Sequence, residues 1–163
     1  MRVALMADTH DRLDTLEKAV ALINDWKADY TLHAGDFVAP FVGKVLEKLQ
    51  CPLIGVFGNN DGEKLGLKAR LESFGARVTV QPAIVTIGEK KVVIVHEGEW
   101  VEALSQSGLY QLVLYGHTHQ TDLRRLPNGC IVVNPGEVCG WLTGRCSIAL
   151  WDVETMEVKF TEL

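Results

Sequence analysis

The sequence predicts an α/β fold built from strand-helix-strand units, with a largely parallel sheet that is finished by an antiparallel part. Short runs rich in Val, Ile and Leu alternate with helical patterns over the first two thirds of the chain, and strand-like runs dominate the last third. The chain has 163 residues, so one domain, residues 1–163, can bury a core without disulfide bonds. The Gly and Pro content is close to average, which excludes disordered and fibrous classes.

Three pairs of strand and helix are expected in the first half of the chain. The strands are the short apolar runs at residues 3–7, 30–34 and 53–57. Helical patterns follow at residues 13–23, 38–49 and 65–74, and Gly75 ends the third helix. Because crossovers between parallel strands are right-handed, we expect these helices on the outer faces of the sheet.

The second half of the chain predicts mainly strands. Residues 83–87 and 92–95 are typical of a hairpin, a helix at residues 99–107 stops at Gly108, and residues 112–115 form another buried run. Further strands are expected at residues 121–126, 131–133, 145–151 and 158–161. No internal repeat or linker interrupts this order, so we expect no second domain.

Polar side chains follow the apolar runs where the predicted strands end. They are Asp8, His10, Asp36, Asn59, His96, His117 and His119. The carboxyl ends of parallel strands meet at one edge of a sheet, where ligands bind in open α/β folds. We therefore expect these side chains to converge although they are scattered along the chain.

The chemistry of this set indicates divalent metal ions. Two carboxylates, four imidazoles and one amide, with no thiolate, suit a transition metal. They are too many for one ion, whereas two ions about 3.5–4 Å apart with a bridging carboxylate use them all. A single His at a strand end is commonly a satisfied polar residue, but that explanation is poor for four of them. His33 lies inside a strand, and both a core role and a role in orienting a ligand are open.

The charge and the apolar pattern exclude several classes of partner. A net charge of −5 argues against a broad surface for nucleic acid or membranes. Two divalent ions with Asp8, Asp36 and a bridging hydroxide would still leave a local charge of about +1, which suits a phosphate. No apolar run is long enough to span a membrane and no signal peptide precedes the first strand, so a cytoplasmic protein is expected. The four cysteines lack zinc or redox spacing and are expected as reduced thiols.

Five segments resemble the ordered signature of the calcineurin-like metallophosphoesterase superfamily. They are Asp8-Thr9-His10, Gly35-Asp36, Gly58-Asn59-Asn60-Asp61, His96 and Gly116-His117-Thr118-His119. The similarity extends over nearly the whole chain and is strongest to the small bacterial and archaeal phosphodiesterase branch, notably at Asn134-Pro135-Gly136-Glu137. It implies a two-sheet mixed β-sandwich flanked by helices, with the site at the carboxyl edge of the strands.

The resemblance also implies how the ligands are shared. One ion would be held by Asp8, His10, Asp36 and His119, and Asp36 would bridge to a second ion completed by Asn59, His96 and His117. Manganese is the implied metal, with nickel, zinc or iron as alternatives that the ligands alone do not distinguish. The implied nucleophile is a hydroxide that bridges the two ions.

Asn60 departs from the pattern of many phosphatases of the superfamily, which carry His at this position. Asn60 could bind a phosphoryl oxygen, but an amide cannot give up a proton near neutral pH, so we expect good leaving groups to be favoured. For the neighbouring Asp61, capping of the next helix is favoured over orienting residue 60.

Three other residues near the predicted site have open roles. Glu97 and Glu99 follow His96, where related enzymes often carry a second His. A solvated helix start is favoured for them over an added metal ligand or repulsion of phosphate. Trp141 fits a substrate wall or a contact between copies, and it fits core packing equally well.

These observations predict a dimetal phosphoesterase, and specifically a phosphodiesterase that acts on a small phosphodiester. A broader phosphatase, nucleotidase or nuclease on the same site is the alternative among enzymes. A scaffold of the same fold, like the retromer subunit, is the alternative outside them, but a scaffold has no need of an intact ligand set. A homodimer is a possible assembly.

Overall fold

Two β-sheets face each other in the computed structural model, which describes residues 1–163. The strands are β1 Arg2–Met6, β2 Tyr30–His33, β3 Leu53–Val56, β4 Arg77–Thr79, β5 Ala83–Ile87, β6 Lys90–Ile94, β7 Leu112–Leu114, β8 Thr121–Arg125, β9 Ile131–Pro135, β10 Ser147–Asp152 and β11 Val158–Glu162. The helices are α1 Leu13–Asp25, α2 Gly43–Leu46, α3 Lys64–Glu72 and α4 Val101–Gln106. Single 3-10 turns, Pro40–Val42 and Gly98–Trp100, precede α2 and α4.

Each sheet combines a parallel centre with antiparallel edges. The first sheet has the order β11-β10-β1-β2-β3-β4, in which β1 to β4 run parallel. The second has the order β5-β6-β7-β9-β8, in which β6, β7 and β9 run parallel. In register, Met6 pairs with His33 and Ile94 with Leu114, so neighbouring parallel strands end level with one another. Their carboxyl ends therefore form one edge from which polar loops can meet.

Three apolar layers hold this architecture together. Alternate residues of both sheets, including Leu5, Leu32, Ile94 and Trp151, fill the space between the sheets. The opposite face of the first sheet packs against α1, α2 and α3, and the opposite face of the second packs against α4. Successive side chains of a strand point to opposite faces of its sheet. Because each sheet is covered on both sides, both sets of side chains in the central strands are mostly apolar and buried. No helix combines the length and the hydropathy that a membrane crossing would need.

The predicted α/β class is confirmed, as is the two-sheet sandwich that the resemblance implied. The prediction of a single, largely parallel sheet with an antiparallel end was wrong. The strands divide between two sheets, and each sheet has its own parallel centre. The predicted hairpin is present as β5 and β6.

Two elements differ from the prediction. The predicted helix at residues 38–49 is reduced to the 3-10 turn and the four-residue α2, because Val38 is left-handed and Pro40 starts the turn. Strand β4 was not predicted, since three residues carry too little pattern to mark a strand; it is defined by pairing with β3.

His33 is a core residue. It is fully buried, its ring stacks on Phe37 at 3.7 Å, and its Nδ1 accepts a hydrogen bond from the Gly35 amide at 3.0 Å. The Nε2 atom has no hydrogen-bond partner. Burial, with the nearby His96, lowers the pKa of His33 to about 3. His33 therefore supports the turn that leads to Asp36 and stays neutral in the folded protein.

We expect this neutral histidine to make the protein sensitive to acid. The unfolded chain takes up a proton near its ordinary pKa of about 6.5, so the contribution of His33 is complete above that pH and is lost as pH falls toward the folded value. In His33→Asn, an acceptor for Gly35 is kept and the titration is removed. Between pH 7.5 and 5.0, the free energy of unfolding should fall by about 2 kcal/mol less in this variant than in the wild type.

Urea denaturation at both pH values, with a chelator present, measures this difference. The matched control is Phe37→Leu, which removes the stacking partner but keeps the titrating ring, and which should show the pH dependence of the wild type. Equal losses in the wild type and in His33→Asn would contradict the prediction.

Candidate metal centre

The structure brings together all seven side chains predicted as metal ligands. Asp8 and His10 follow β1, Asp36 follows β2, and Asn59 follows β3, while the second sheet contributes the three other histidines. His96 follows β6, and His117 and His119 follow β7. The cluster thus lies where the carboxyl ends of the parallel strands of both sheets meet.

Asp36 occupies the middle of this cluster. Its Oδ2 atom lies 3.3 Å from His10 Nε2 and also 3.3 Å from His96 Nε2. The Asn60 side chain donates to Oδ2 at 2.7 Å, and the Asn60 backbone amide donates to Oδ1 at 2.9 Å. Asp36 is buried, whereas Asn59 and Asn60 are exposed. The carboxylate therefore forms the floor of the site, and the asparagines lie at its opening.

Three side chains group on one side of Asp36. His10 Nε2 lies 3.7 Å and His119 Nε2 lies 3.6 Å from Asp8 Oδ1. The His10 and His119 rings are 5.0 Å apart. Together with Asp36, these residues form the set that the resemblance implied for one ion.

The other three side chains group on the opposite side. Asn59 Oδ1 lies 2.8 Å from His96 Nε2 and 2.9 Å from His117 Nδ1. The His96 and His117 rings are 5.2 Å apart. Asp36 is the only residue that contacts side chains of both groups through its carboxylate, namely His10 and His96.

The electrostatics of the floor balance carboxylate against imidazole. Burial opposes ionisation of Asp36, but hydrogen bonds from His96 and Asn60 outweigh it and hold the pKa of Asp36 well below its usual range. Burial opposes charging of His10 and His96, yet Asp36 and Asp8 raise the pKa of both rings. Positive charge is thus favoured beside these two carboxylates.

The donor set fits divalent cations. His10 Nε2 is buried, faces both carboxylates and has no hydrogen-bond partner. His96 Nδ1 lies 2.7 Å from the Ala34 carbonyl oxygen. Because a carbonyl only accepts, Nδ1 carries a proton, so in the neutral ring the lone pair is on Nε2, the nitrogen that faces Asp36 and donates to it when the ring is charged. Two carboxylates with unprotonated imidazole nitrogens aimed between them form a site for a hard or borderline cation.

Backbone strain is concentrated in the same residues. Asp8, His10, Asp36, His117 and His119 all have left-handed φ angles, between 39° and 68°. This conformation is costly for residues with a side chain, and it persists where the surrounding structure imposes it. At each of these residues the left-handed backbone turns the chain sharply near the end of a strand, and the turns direct the side chains into one cluster.

Two glycines allow the loops after β2 and β3 to touch. A Cβ on Gly58 would lie 2.2 Å from Asp36 Oδ1, and a Cβ on Gly35 would lie 2.8 Å from the Gly58 nitrogen. Gly35 also has a φ of 98°. Only glycine permits this approach, so the Gly before Asp36 and the Gly before Asn59 are part of the site's construction.

The predicted helix cap at Asp61 was wrong. Helix α3 is capped by Glu63, whose side chain accepts from the Gly66 amide. Asp61 is buried and accepts three backbone amides instead: Gly58 at 2.7 Å, Val38 at 2.7 Å and Asp36 at 3.2 Å. Its carboxylate satisfies buried donors of two loops and so joins the loop after β2 to the loop after β3.

Glu97, Glu99 and Trp141, whose roles the sequence left open, differ in their surroundings. The Glu97 carboxylate accepts from the Gln81 side chain, and Glu99 is exposed in the 3-10 turn. The alternative that Trp141 packs in the core was wrong, because this residue is 61% exposed. The Trp141 ring lies against the Arg12 guanidinium, with 4.8 Å between the ring centroid and Cζ. All four cysteines are free thiols, as expected.

Sequence reasoning missed Glu137 as a functional residue. It follows β9, the sixth strand that ends at this edge, and its Oε2 lies 2.7 Å from His119 Nδ1. Hydrogen bonds from Cys139, His119 and Thr143 outweigh the effect of burial and lower the pKa of Glu137 to about 2. It lies four positions after the apolar run that ends at Val133, and a polar residue soon after such a run is the signal that marked the other site residues.

A two-sheet α/β sandwich with acidic and imidazole side chains at the carboxyl edge is the metallophosphoesterase fold. The model of the calcineurin-like phosphoesterase superfamily domain matches residues 1–156. The chain therefore belongs to the calcineurin-like phosphoesterase superfamily.

Similar proteins fall into a near and a distant group. The chain is 38% identical to Phosphodiesterase MJ0936 of Methanocaldococcus jannaschii, over 98% of this chain and 97% of that protein. A solved archaeal phosphodiesterase superposes with a TM-score of 0.95 at 37% identity, with both chains fully covered. Vps29 of Chaetomium thermophilum superposes with a TM-score of 0.72 at 18% identity, covering all of this chain and 97% of that one, and shows the fold alone.

We expect Asp61→Asn to destabilise the protein and to disturb Asp36. An amide has one acceptor oxygen for the three backbone amides, and its NH₂ group would face one of them. The free energy of unfolding should fall by about 2 kcal/mol because a buried donor loses its partner. Urea denaturation of the metal-free protein measures the change.

Glu63→Gln is the matched control for Asp61→Asn. It makes the same chemical change at an exposed cap with a single backbone donor, and it should cost less than about 1 kcal/mol. If the two variants were equally stable, the joining role of Asp61 would be contradicted.

Proposed function

We propose that the protein is a metal-dependent phosphodiesterase whose site is the cluster around Asp36. The observation that carries this proposal is the convergence of two carboxylates, four imidazoles and one amide oxygen, joined through Asp36, at the strand ends. The near-full-length similarity to proteins named as archaeal phosphodiesterases supports the same activity.

The ligands of the proposed centre are the seven residues of the cluster. Asp8, His10, Asp36 and His119 would hold one cation, and Asp36, Asn59, His96 and His117 would hold the other. Manganese is the proposed metal, since oxygen and imidazole ligands without thiolate suit it, and nickel, zinc or iron remain alternatives. Two bound divalent cations would supply Lewis acidity toward the phosphoryl group and a nucleophile from water at neutral pH.

The protein's own residues orient the reacting groups. Asp36 accepts hydrogen bonds from Asn60 and lies beside His10 and His96, and these contacts orient its carboxylate. The exposed Asn60 amide lies next to this carboxylate at the opening, where it would also donate to a phosphoryl oxygen. An amide supplies no proton to the departing oxygen, so the preferred substrates are diesters with a good leaving group.

The substrate is proposed to be a small or exposed phosphodiester. Arg12, two residues after His10, lies against Trp141, and this pair is proposed to border the opening; the length of the chain provides little surface beyond the fold itself. A cytoplasmic location and a homodimer belong to the proposal as well, as does the organisation of residues 1–163 as one domain.

Asp36→Ala tests the proposed centre most directly. Loss of the shared carboxylate should lower hydrolysis of bis-p-nitrophenyl phosphate by at least about a hundredfold and should reduce the bound metal measured on the purified protein. Asp25→Ala removes an exposed aspartate at the end of α1 and should retain both activity and metal. Full activity of Asp36→Ala with metal bound would overturn the assignment.

The same assay separates the alternative functions. The wild type should hydrolyse bis-p-nitrophenyl phosphate faster than p-nitrophenyl phosphate, lose activity with chelator and regain it with Mn²⁺. Faster hydrolysis of the monoester would favour a broader phosphatase. No hydrolysis of either compound with any of the four metals would favour a scaffold.

Asn60→His tests the missing proton donor. An imidazole at this position can protonate the departing oxygen, so hydrolysis of aryl phosphodiesters with poor leaving groups should gain about ten- to a hundredfold relative to bis-p-nitrophenyl phosphate. Asn60→Gln, which keeps an amide, should show the leaving-group dependence of the wild type. An unchanged dependence in Asn60→His, with metal content preserved, would contradict the interpretation of Asn60.

A further inference from the structure

Glu137 is a completely buried carboxylate that the seven-residue cluster does not include. It lies two residues beyond β9, beside His119, and none of its atoms is exposed. Its partners are all hydrogen-bond donors from the protein, and no lysine or arginine pairs with it. A buried charge of this kind is costly unless its acceptor sites are filled, so its partners indicate its role.

The two carboxylate oxygens serve different partners. Oε1 accepts from the Thr143 amide at 2.6 Å, from the Thr143 hydroxyl at 2.7 Å and from the Leu142 amide at 3.1 Å. Oε2 faces His119 Nδ1 at 2.7 Å, the Cys139 thiol at 3.0 Å and the Leu142 amide, which both oxygens share, at 3.2 Å. Both oxygens thus hold the loop of residues 139–144, and Oε2 alone also holds the imidazole.

We propose that Glu137 is a positioning residue that sets the tautomer of His119. An ionised carboxylate only accepts hydrogen bonds, so the His119 proton must lie on Nδ1. The opposite nitrogen, Nε2, then carries a lone pair, and this atom lies 3.6 Å from Asp8 Oδ1. The functional consequence rests on the proposed metal centre: His119 is delivered to it as a neutral ligand in fixed orientation.

The same carboxylate joins the imidazole to the opening of the site. Residues 139–144 carry Trp141, which lies over Arg12, and Arg12 in turn donates to the Cys139 carbonyl at 2.7 Å. Glu137 therefore connects a ligand of the centre with the loop that borders the substrate opening. A purely structural anchor would hold this loop without affecting the ring of His119.

The variant Glu137→Gln distinguishes positioning from anchoring. The amide keeps one acceptor oxygen, and the amide and hydroxyl of Thr143, which contact only Oε1 at 2.6 and 2.7 Å, favour that position for it. Its NH₂ group would then face His119 Nδ1, and this nitrogen would have to accept. The His119 proton would move to Nε2, toward Asp8, and the ligand lone pair would be turned away from the centre.

Two measurements read out this change. Long-range ¹H–¹⁵N correlation spectra of the chelator-treated protein, at a pH where the rings are neutral, report the tautomer of His119. The wild type should be protonated on Nδ1 and Glu137→Gln on Nε2. Competition against a fluorescent chelator should show Mn²⁺ affinity falling about ten- to a hundredfold in the variant.

Thr143→Val is the matched control. It removes one loop donor from the carboxylate and leaves the carboxylate facing His119, so the tautomer and the Mn²⁺ affinity should equal those of the wild type. A loss of affinity in Thr143→Val as large as in Glu137→Gln, with no change of tautomer in either variant, would overturn positioning in favour of anchoring.

The wild-type spectrum also tests the proposal without any variant. A His119 proton on Nε2 in the wild type would overturn the proposal, even if Glu137→Gln did not fold. A wild type that has the proton on Nδ1 but binds no metal would support the hydrogen-bond assignment and contradict the metal centre of the proposed function.

Discussion

The buried carboxylate of Asp36 is the group on which the arrangement of the site depends. It lies at the end of a central strand, within 3.3 Å of a histidine from each sheet, His10 and His96. A carboxylate removed from water is stable only with donors or cations around it. Asn60 and the two imidazoles supply these, which ties the loops after β1, β2, β3 and β6 to a single point. Displacing Asp36 would therefore disturb both sheets at the edge where they meet.

The scaffold compensates for a site that is unfavourable by itself. Five residues of the cluster have left-handed backbones, and two carboxylates lie close together with little access to water. These features lower the free energy of unfolding, and burial of the apolar layers between and outside the sheets offsets that loss. Asp61 and Glu137 extend this support, because each satisfies several buried donors and holds a neighbouring loop in place. Such buried charged groups are typical of sites that must be rigid before a ligand arrives.

The opening of the site is built differently from its floor. Asn59, Asn60 and His117 are exposed, and Arg12, which lies close to His10 in the sequence, forms the proposed border together with Trp141. Differences in substrate choice are expected to come from such loop residues, since the strand framework is shared with the superfamily. Glu137 matters here because it holds both the border loop and an imidazole of the floor.

The sequence by itself determined most of the elements and which polar side chains follow the strands, and the tertiary structure decided how these side chains are held. Apolar runs followed by Asp, Asn or His mark the strand ends, because side-chain burial and strand direction are local properties. The division into two sheets and strand β4 could not be predicted, since strand pairing depends on partners far away in the chain. The roles of Asp61 and Glu137 were hidden for the same reason. Asp61 reaches Asp36 and Val38 only because Gly35 and Gly58 let two loops touch, and Glu137 meets His119 only where β7 and β9 lie side by side.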